Sequence, residues 1–315
     1  MVMDYFLVSL LNGVIYGLML FMVSSGLTLI FGMMGVLNFA HASFYMIGAY
    51  IGYLCSLHLG FYAGLVIAPL VVGALGVFSE RLLLRRVRPQ GHTHELLLTF
   101  GLFFIFEEVI KVFFGNFAVP YQVPAGLDFA AFSVGSIEYP FYRLFIGVVA
   151  LVMFVAILAV LQLTRLGIVV RAAVHRSDMV AALGHNVPTV FTALFGGGAA
   201  LAGLAGAVAG AFFPTSPTMA SDLGTLVFVV VVIGGLGSLS GAVVGALLIG
   251  VVTSFAVGLN VSLASLAASL GLGDTLTQMG GLFTVSLSSL AGTIPYLLML
   301  LILLLRPSGL LGERS

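Results

Sequence analysis

Four polar side chains stand in apolar stretches of the chain, where their types and spacing could do chemistry. Asn38 and His41 are three residues apart in the run LNFAHAS, so a helix would bring them to one face. Ser43 and Thr99 add two hydroxyl groups to the set. Such groups can exchange hydrogen bonds with a passing polar solute, or they can join neighbouring helices to each other. The residues alone leave both interpretations open, and we take the solute path as the working hypothesis.

The composition shows which surroundings these residues have. Of the 315 residues, 61% are hydrophobic and 7% are charged, and the mean hydropathy is +1.24. Soluble domains carry about a quarter charged residues, so the chain is predicted to lie in a lipid bilayer. Eleven basic and eleven acidic residues balance, which argues against nucleic-acid binding. We therefore expect an all-α, polytopic bundle of transmembrane helices, organised as one transmembrane domain over residues 1–315.

Nine apolar segments are long enough, or nearly long enough, to cross a bilayer core of about 30 Å. We place them near 6–30, 37–57, 61–79, 95–114, 141–163, 190–213, 223–234, 240–257 and 292–305. The alternative is eight crossings, with 223–257 as one long broken span. Residues 258–291 carry one charge and are interrupted by serines and glycines. This segment is predicted to lie outside the membrane and to be partly helical.

The distribution of basic residues orients these spans. Nine of the eleven fall in three segments: Arg81, Arg85, Arg86 and Arg88; Arg165, Arg171 and Arg176; and Arg306 and Arg314. The positive-inside rule makes these segments cytoplasmic. The N-terminus and the acidic residues Asp128 and Asp274 are then outside, the C-terminus is inside, and nine crossings satisfy the parity.

Glycines provide the second architectural signal. Spacings of four, as in Gly13/Gly17 and Gly48/Gly52, let helices approach closely in lipid. Clusters at the membrane edge are predicted to break helices, and irregular backbone at that depth needs protein or a water-filled cavity around it. The predicted breaks are at Gly32, Gly35, Gly234, Gly235 and Gly237.

Other kinds of protein are disfavoured by what the sequence contains. The only lysine is Lys111, and no phosphate-binding loop of the Gly-x-x-x-x-Gly-Lys-Ser/Thr type occurs. No catalytic motif, metal-binding cluster or cofactor fingerprint occurs either, so we expect neither an enzyme nor a bound cofactor or metal. A stand-alone ion- or proton-coupled transporter is the alternative. It would need buried charges, for which Glu107, Glu108 and Lys111 are the candidates, although Glu107 and Lys111 can simply pair.

Several motifs resemble the permease subunits of bacterial ABC importers of the branched-chain amino acid type, and the shorter, high-affinity type fits best. They are LNGVIYG at residues 11–17, GLTLIFG at 26–32, LNFAHAS at 37–43, LLTFGL at 97–102 and GGLGSLSG at 234–241. The resemblance implies a second permease subunit, identical or different, two ATP-binding cassette ATPases that bind the ATP, and an external substrate-binding protein. It also implies the bacterial inner membrane and, as substrates, branched-chain amino acids. Urea, short amides and small carboxylates remain alternatives.

The cytoplasmic segment 165–188 gains a role from this resemblance. On its own it predicts a helix that ends at Gly184 and could be an ordinary amphipathic connector. In related importers the equivalent segment looks like the coupling helix that docks on the ATPase. The residues implied in that contact are Arg171, Ala172, His175, Asp178, Ala181 and Gly184.

Overall fold

The computed structural model describes residues 2–135, 137–258 and 285–312, and this part of the chain is mainly helical. Ten helices and two strands follow one another along it. They are α1 (Val2–Met34), α2 (His41–His58), α3 (Phe61–Ser79), α4 (His92–Phe114), β1 (Ala130–Val134), β2 (Ile137–Pro140), α5 (Phe141–Leu163), α6 (Arg165–Ala182), α7 (Val187–Ala209), α8 (Met219–Gly234), α9 (Leu239–Gly258) and α10 (Ile294–Leu305). Short helical turns over Glu80–Gln90 continue α3 towards α4.

Five helical segments of the described chain are long and apolar enough to cross a membrane, which confirms a polytopic membrane protein. They are Met3–Met34, Phe61–Gln90, Phe141–Leu163, Val187–Ala209 and Leu239–Gly258. Helices α8 and α10 are apolar but shorter. The predicted spans near 223–234 and 240–257 correspond to two helices, α8 and α9. Most of the predicted external segment 258–291, including Asp274, lies outside the described residues.

Helix α1 lies at the centre of the bundle. Five consecutive residues, Met19 to Val23, are buried on every side of the helix, as expected for a helix that is apolar all round and surrounded by others. It packs on α7, α9 and α5, while α7 also contacts α2 and α3. The arrangement leaves the outward faces of α3, α5 and α10 apolar and exposed, where lipid can cover them.

One departure from the all-α prediction lies in the loop between α4 and α5. Strands β1 and β2 form an antiparallel hairpin in which Phe132 pairs with Tyr139, and their rings stack with centroids 5.3 Å apart. The signal for it was present as alternating apolar residues around Gly135 and Ser136. This hairpin contacts the first half of α1 through Tyr139 and Asn12.

The two ends of the bundle differ in charge. At one end Arg88 bonds the last residue of α1, Arg85 bonds the start of α7, and Gly235 touches Gly312 near the C-terminus. Arg171 shares a cleft with Gly237 and Ser308 at the same end. We call this the basic end. The opposite end carries the β-hairpin, and we call it the hairpin end.

Glycines set the distances between helices, as the spacing predicts. A Cβ on Gly17 would lie 2.7 Å from the Ala246 carbonyl oxygen of α9, and a Cβ on Gly48 would lie 2.3 Å from the Gly203 carbonyl oxygen of α7. Both distances are shorter than any van der Waals contact, so the helix backbones touch. Small residues are therefore required at these crossings.

Replacing Gly48 with alanine is expected to lower the free energy of unfolding by about 1–3 kcal/mol, because the methyl group overpacks a backbone contact. Gly101 provides the matched control, since it lies in helix α4 and a methyl group added there would have no atom within 4 Å. There alanine should leave stability unchanged or raise it by up to about 1 kcal/mol. Melting temperatures of the purified variants in detergent measure the difference. Equal melting temperatures would contradict the close approach of α2 and α7.

Candidate functional site

The connection between α1 and α2 folds back into the bundle. Gly35, with φ of +66°, begins the reversal after α1 ends at Met34. At the other end of the connection, the His41 ring lies against Gly26 of α1. A Cβ added to Gly26 would be 2.7 Å from Cε1 of His41. Eight residues separate Gly26 from Met34, which is roughly 12 Å along a helix. Residues 35–40 therefore bring irregular backbone into the interior, where protein or a cavity must cover it.

Asn38 is the most unusual residue of this connection. It is only 3% exposed, and neither its amide nitrogen nor its amide oxygen has a hydrogen-bond partner. It lines a cavity of about 270 Å³ between α2, α4 and α8, which we call the Asn38 cavity. A buried amide without partners costs about 1–3 kcal/mol. A solute bound in the cavity would offset this cost by supplying the missing hydrogen bonds.

His41 lines the same cavity. Its Nε2 donates to the Val23 carbonyl oxygen at 3.0 Å, which requires the proton on that nitrogen because a carbonyl only accepts. The other ring nitrogen, Nδ1, is buried and has no partner. The neutral ring therefore offers an acceptor beside the donor and acceptor of Asn38.

Thr99 and Ser43 hold the connection rather than line the cavity. The Thr99 hydroxyl accepts a hydrogen bond from the Phe39 backbone at 3.3 Å and can donate to the Leu37 carbonyl oxygen at 3.4 Å. Ser43 donates to the Phe103 carbonyl oxygen at 3.5 Å, which joins α2 to α4. Thr99 thus positions the two residues on either side of Asn38.

Helix α8 supplies polar residues that the sequence analysis did not include. Ser221 and Thr225 line the Asn38 cavity opposite the connection, and Gly224 between them lies against Ala42. Their spacing of four places both hydroxyls on one face of the helix, and this was the signal in the sequence. Both hydroxyls bond backbone carbonyls within their own helix turn.

The glycines at which helix breaks were predicted occupy different positions in the structure. Gly32 does not break a helix, because α1 continues through it to Met34; its small size instead lets it touch Gly237, whose Cα would be 2.8 Å from a methyl there. Gly234 is the last residue of α8. Gly235 and Gly237 have φ of +102° and +85° and make the turn into α9, a conformation that favours glycine.

Two buried carboxylates at the basic end are further residues that the sequence analysis missed. Glu80 accepts hydrogen bonds from Thr192 and Arg85, and Glu95 pairs with Arg88 at 3.7 Å. Arg88 also donates to the Met34 carbonyl oxygen at 3.2 Å and stacks over Phe191 of α7 at 4.6 Å. This contact joins the end of α1, just before the Asn38 connection, to the first turns of α7.

Helix α6 contains the predicted coupling residues. Ala173 and Val180 are buried against Val187, whereas Arg171, Ala172 and Ala181 are exposed. His175 and Asp178 belong to the same helix. Gly184 follows the helix end with φ of +87°. One stripe of α6 therefore packs on the bundle, and the predicted contact positions Arg171, Ala172 and Ala181 are exposed outside this stripe.

Three charged residues in the second half of α4 pair with one another. Lys111 Nζ lies 2.8 Å from a carboxylate oxygen of both Glu107 and Glu108. The predicted pairing of Glu107 with Lys111 is confirmed. Among the described residues, no three His, Cys, Asp or Glu side chains come together in a way that could hold a metal ion.

Apolar helices long enough to cross a membrane, packed around a cavity that Asn38 and His41 line, define a multi-pass membrane protein. A family model described as "Branched-chain amino acid transport system / permease component" matches residues 9–303. The chain belongs to this family, and it is the permease subunit of an ABC importer.

Three relatives illustrate the similarity. The high-affinity branched-chain amino acid transport system permease protein BraD of Pseudomonas aeruginosa is 26% identical over 322 residues, covering 98% of this chain and 96% of that protein. The corresponding permease protein LivH of Salmonella typhimurium is 30% identical over 264 residues, covering 78% and 84%. LivH of Escherichia coli is 29% identical over 269 residues with the same coverage.

Proposed function

We propose that the chain forms half of the translocation pathway of an ATP-driven importer and that the Asn38 cavity is part of this path. The observation that carries the proposal is the buried Asn38 amide without hydrogen-bond partners. Asn38 and His41 offer hydrogen bonds to the solute, and Thr99 and Ser43 position them. The cavity walls also include Phe100 and Phe103, which suit a solute that has both a polar and an apolar part.

Branched-chain amino acids are the proposed substrates. Each joins a zwitterionic head to an aliphatic side chain, and the cavity combines neutral hydrogen-bonding groups with apolar walls. The permease relatives named above carry this substrate class in their names. Urea, short amides and small carboxylates are the alternatives that a transport assay must separate.

The proposed assembly contains a second permease subunit, two ATP-binding cassette ATPases and an external substrate-binding protein in the bacterial inner membrane. The chain has no phosphate-binding loop, so ATP is bound and hydrolysed by the partner chains and the permease itself needs no cofactor. Nucleic acid has no role in this function. Segment 165–188 is the proposed contact with one ATPase, through the exposed side of α6.

Nine crossings with the N-terminus outside and the C-terminus cytoplasmic are the proposed topology. Support comes from the basic end, where Arg85, Arg88 and Arg171 lie with the C-terminal segment. At the hairpin end, Gly135 lies beside Asp4 in the first turn of α1, and Asp128 precedes β1 in the chain. The proposed orientation therefore agrees with the positive-inside rule.

Arg171→Cys and Asp128→Cys test this orientation in a Cys55→Ala background, since both positions are exposed and Cys55 is buried. On intact spheroplasts, a membrane-impermeant maleimide should label position 128. It should label position 171 only after the membrane is permeabilised. Labelling of 171 with protection of 128 would invert the topology.

Reconstitution tests the function itself. The chain is co-purified with the second permease and the two ATPases of the proposed assembly, inserted into liposomes, and supplied with the external binding protein. Uptake of radiolabelled leucine should require both ATP and the binding protein, and excess valine or isoleucine should compete with it. If urea, propionamide or benzoate competes instead, the substrate belongs to that class and not to the branched-chain amino acids. Gradient-driven uptake by the chain alone, without ATP, would establish a secondary transporter and overturn the proposal.

A further inference from the structure

A second cavity, of about 370 Å³, lies at the hairpin end. It is formed between α1, α5, α9 and the segment after α7, and it shares no lining residue with the Asn38 cavity. Its polar lining includes Asn12, Arg143, Thr253 and Ser254. Ile146, Phe212 and Phe213 contribute apolar walls. The volume falls within the range of roughly 300–1,000 Å³ typical of small-molecule sites. We call it the Arg143 cavity.

The guanidinium group of Arg143 is held rigidly in this cavity. One terminal nitrogen donates to the Asn12 side-chain oxygen, which also accepts from the Tyr139 hydroxyl at 3.2 Å. The guanidinium carbon lies 5.1 Å from the centre of the Phe212 ring and 5.8 Å from that of Tyr139, within the range of cation–π attraction. Oriented in this way, the group has little side-chain entropy left to lose when it binds a partner.

Part of the hydrogen-bonding capacity of this group has no partner in the described part of the chain. Arg143 Nε is buried and has no partner, and the described part of the chain places no carboxylate within ion-pairing distance of Arg143. The Thr253 hydroxyl in the same cavity is also buried without a partner. Arg143 as a whole is half-buried, and its buried Nε–H costs free energy unless an acceptor pairs with it. Arginine favours carboxylate and phosphate, which can accept two parallel hydrogen bonds.

We propose that the Arg143 cavity binds the carboxylate of a small molecule with an apolar side chain. Arg143 Nε and a terminal nitrogen donate to the carboxylate, Thr253 makes a further hydrogen bond, and the side chain lies against Phe212 and Ile146. This inference rests on the proposed function. The amino-acid substrate binds first in this cavity, at the outer end of the translocation path, and then moves to the Asn38 cavity. It assigns recognition of the substrate's charge to Arg143, since the Asn38 cavity has only neutral groups.

Binding to the purified full-length chain in detergent tests the proposal with three probes: L-leucine, 4-methylpentanoate and L-leucinamide. The first two have the carboxylate and the aliphatic chain, and the third has lost the negative charge. Leucine and 4-methylpentanoate should bind and displace each other. Leucinamide should bind at least tenfold more weakly.

Two variants locate the site. Arg143→Gln should weaken leucine binding at least tenfold, and Thr253→Val should weaken it several-fold. Thr253→Val removes a hydroxyl that has no partner, so its melting temperature should not fall, and it keeps the test valid if Arg143→Gln folds poorly. Gly101→Ala, in open space on α4, is the control and should bind leucine like the unaltered chain.

Three results would overturn the proposal. Leucinamide could bind as tightly as leucine, which would show that the carboxylate is not recognised. Leucine binding could survive Arg143→Gln and be lost in Asn38→Leu, which would assign it to the other cavity. Phosphatidylglycerol added to the micelles could abolish probe binding, which would assign Arg143 to a lipid phosphate. Any of these together with normal ATP-driven leucine uptake would remove only this inference, whereas failure of uptake by the unaltered complex would remove the proposed function.

Discussion

Replacing Asn38 with leucine is expected to lower ATP-driven leucine uptake by about tenfold or more, a loss of about 1.4 kcal/mol of solute stabilisation. The purified chain should keep its melting temperature or gain stability. Uptake should fall without a loss of stability because the Asn38 amide makes no hydrogen bond within the protein that the substitution could remove. An apolar side chain of similar size removes the desolvation cost of a buried, unpaired amide. The solute would lose the donor and the acceptor at this position.

Asn116→Leu is the matched control, since it makes the same chemical change at an exposed position in the loop after α4. Its uptake should equal that of the unaltered complex. His41→Leu is less decisive, because His41 also bonds the Val23 carbonyl oxygen and its loss should lower stability as well as uptake. Unchanged uptake in Asn38→Leu, or uptake that falls in proportion to the yield of folded complex, would show that Asn38 serves packing alone.

The polarity pattern identifies Asn38, His41 and Thr99, but it does not tell which of their atoms face a cavity. That depends on the return of residues 35–40 into the bundle. The reversal brings His41 back to Val23, eighteen positions earlier in the chain. Thr99 contacts the backbone around Asn38 across sixty positions. Periodicity reports the face of one helix, whereas these contacts depend on how three elements pack.

The features that sequence analysis missed have similar causes. Glu80 and Glu95 stand at the two ends of the arginine-rich segment that was predicted to be cytoplasmic, yet both are only 2% exposed. Their burial follows from Thr192 and Arg88, whose positions are set by α7 and by α1. Gly32 was expected to break a helix because glycine lowers helix propensity by about 1 kcal/mol. In the structure, the close contact with Gly237 uses the same small size without breaking the helix.

Ala172→Glu is expected to abolish association of the permease with the ATPase. Ala172 is exposed on α6, and its neighbour Ala173 is buried against the bundle, so the substitution should leave the melting temperature of the permease unchanged. In the proposed complex, the small side chain lets α6 fit into a groove of the ATPase. An unpaired charge buried there costs about 3 kcal/mol or more, which is roughly a hundredfold in affinity.

Ala181→Glu extends this test to the other side of the same helix. Positions 172 and 181 are nine residues apart, which is about 180° around a helix with 3.6 residues per turn, and both are exposed beside the buried stripe of Ala173 and Val180. A helix seated in a groove is contacted on both flanks, so each variant should lose ATPase co-purification and ATP-driven uptake. Leucine binding by the external binding protein should not change.

Ala125→Glu is the control, because it places the same charge on an exposed alanine of the loop before the hairpin. It should retain ATPase co-purification, since the proposed topology puts it on the opposite side of the membrane. If only one of the two α6 variants loses the ATPase, then α6 lies on a flat surface and not in a groove. If both variants assemble with the ATPases and transport leucine normally, α6 is an ordinary connector. The conformational change driven by ATP hydrolysis must then reach the Asn38 cavity through another element. Arg88 would then be the next residue to test, because it joins the end of α1 to Phe191 of α7.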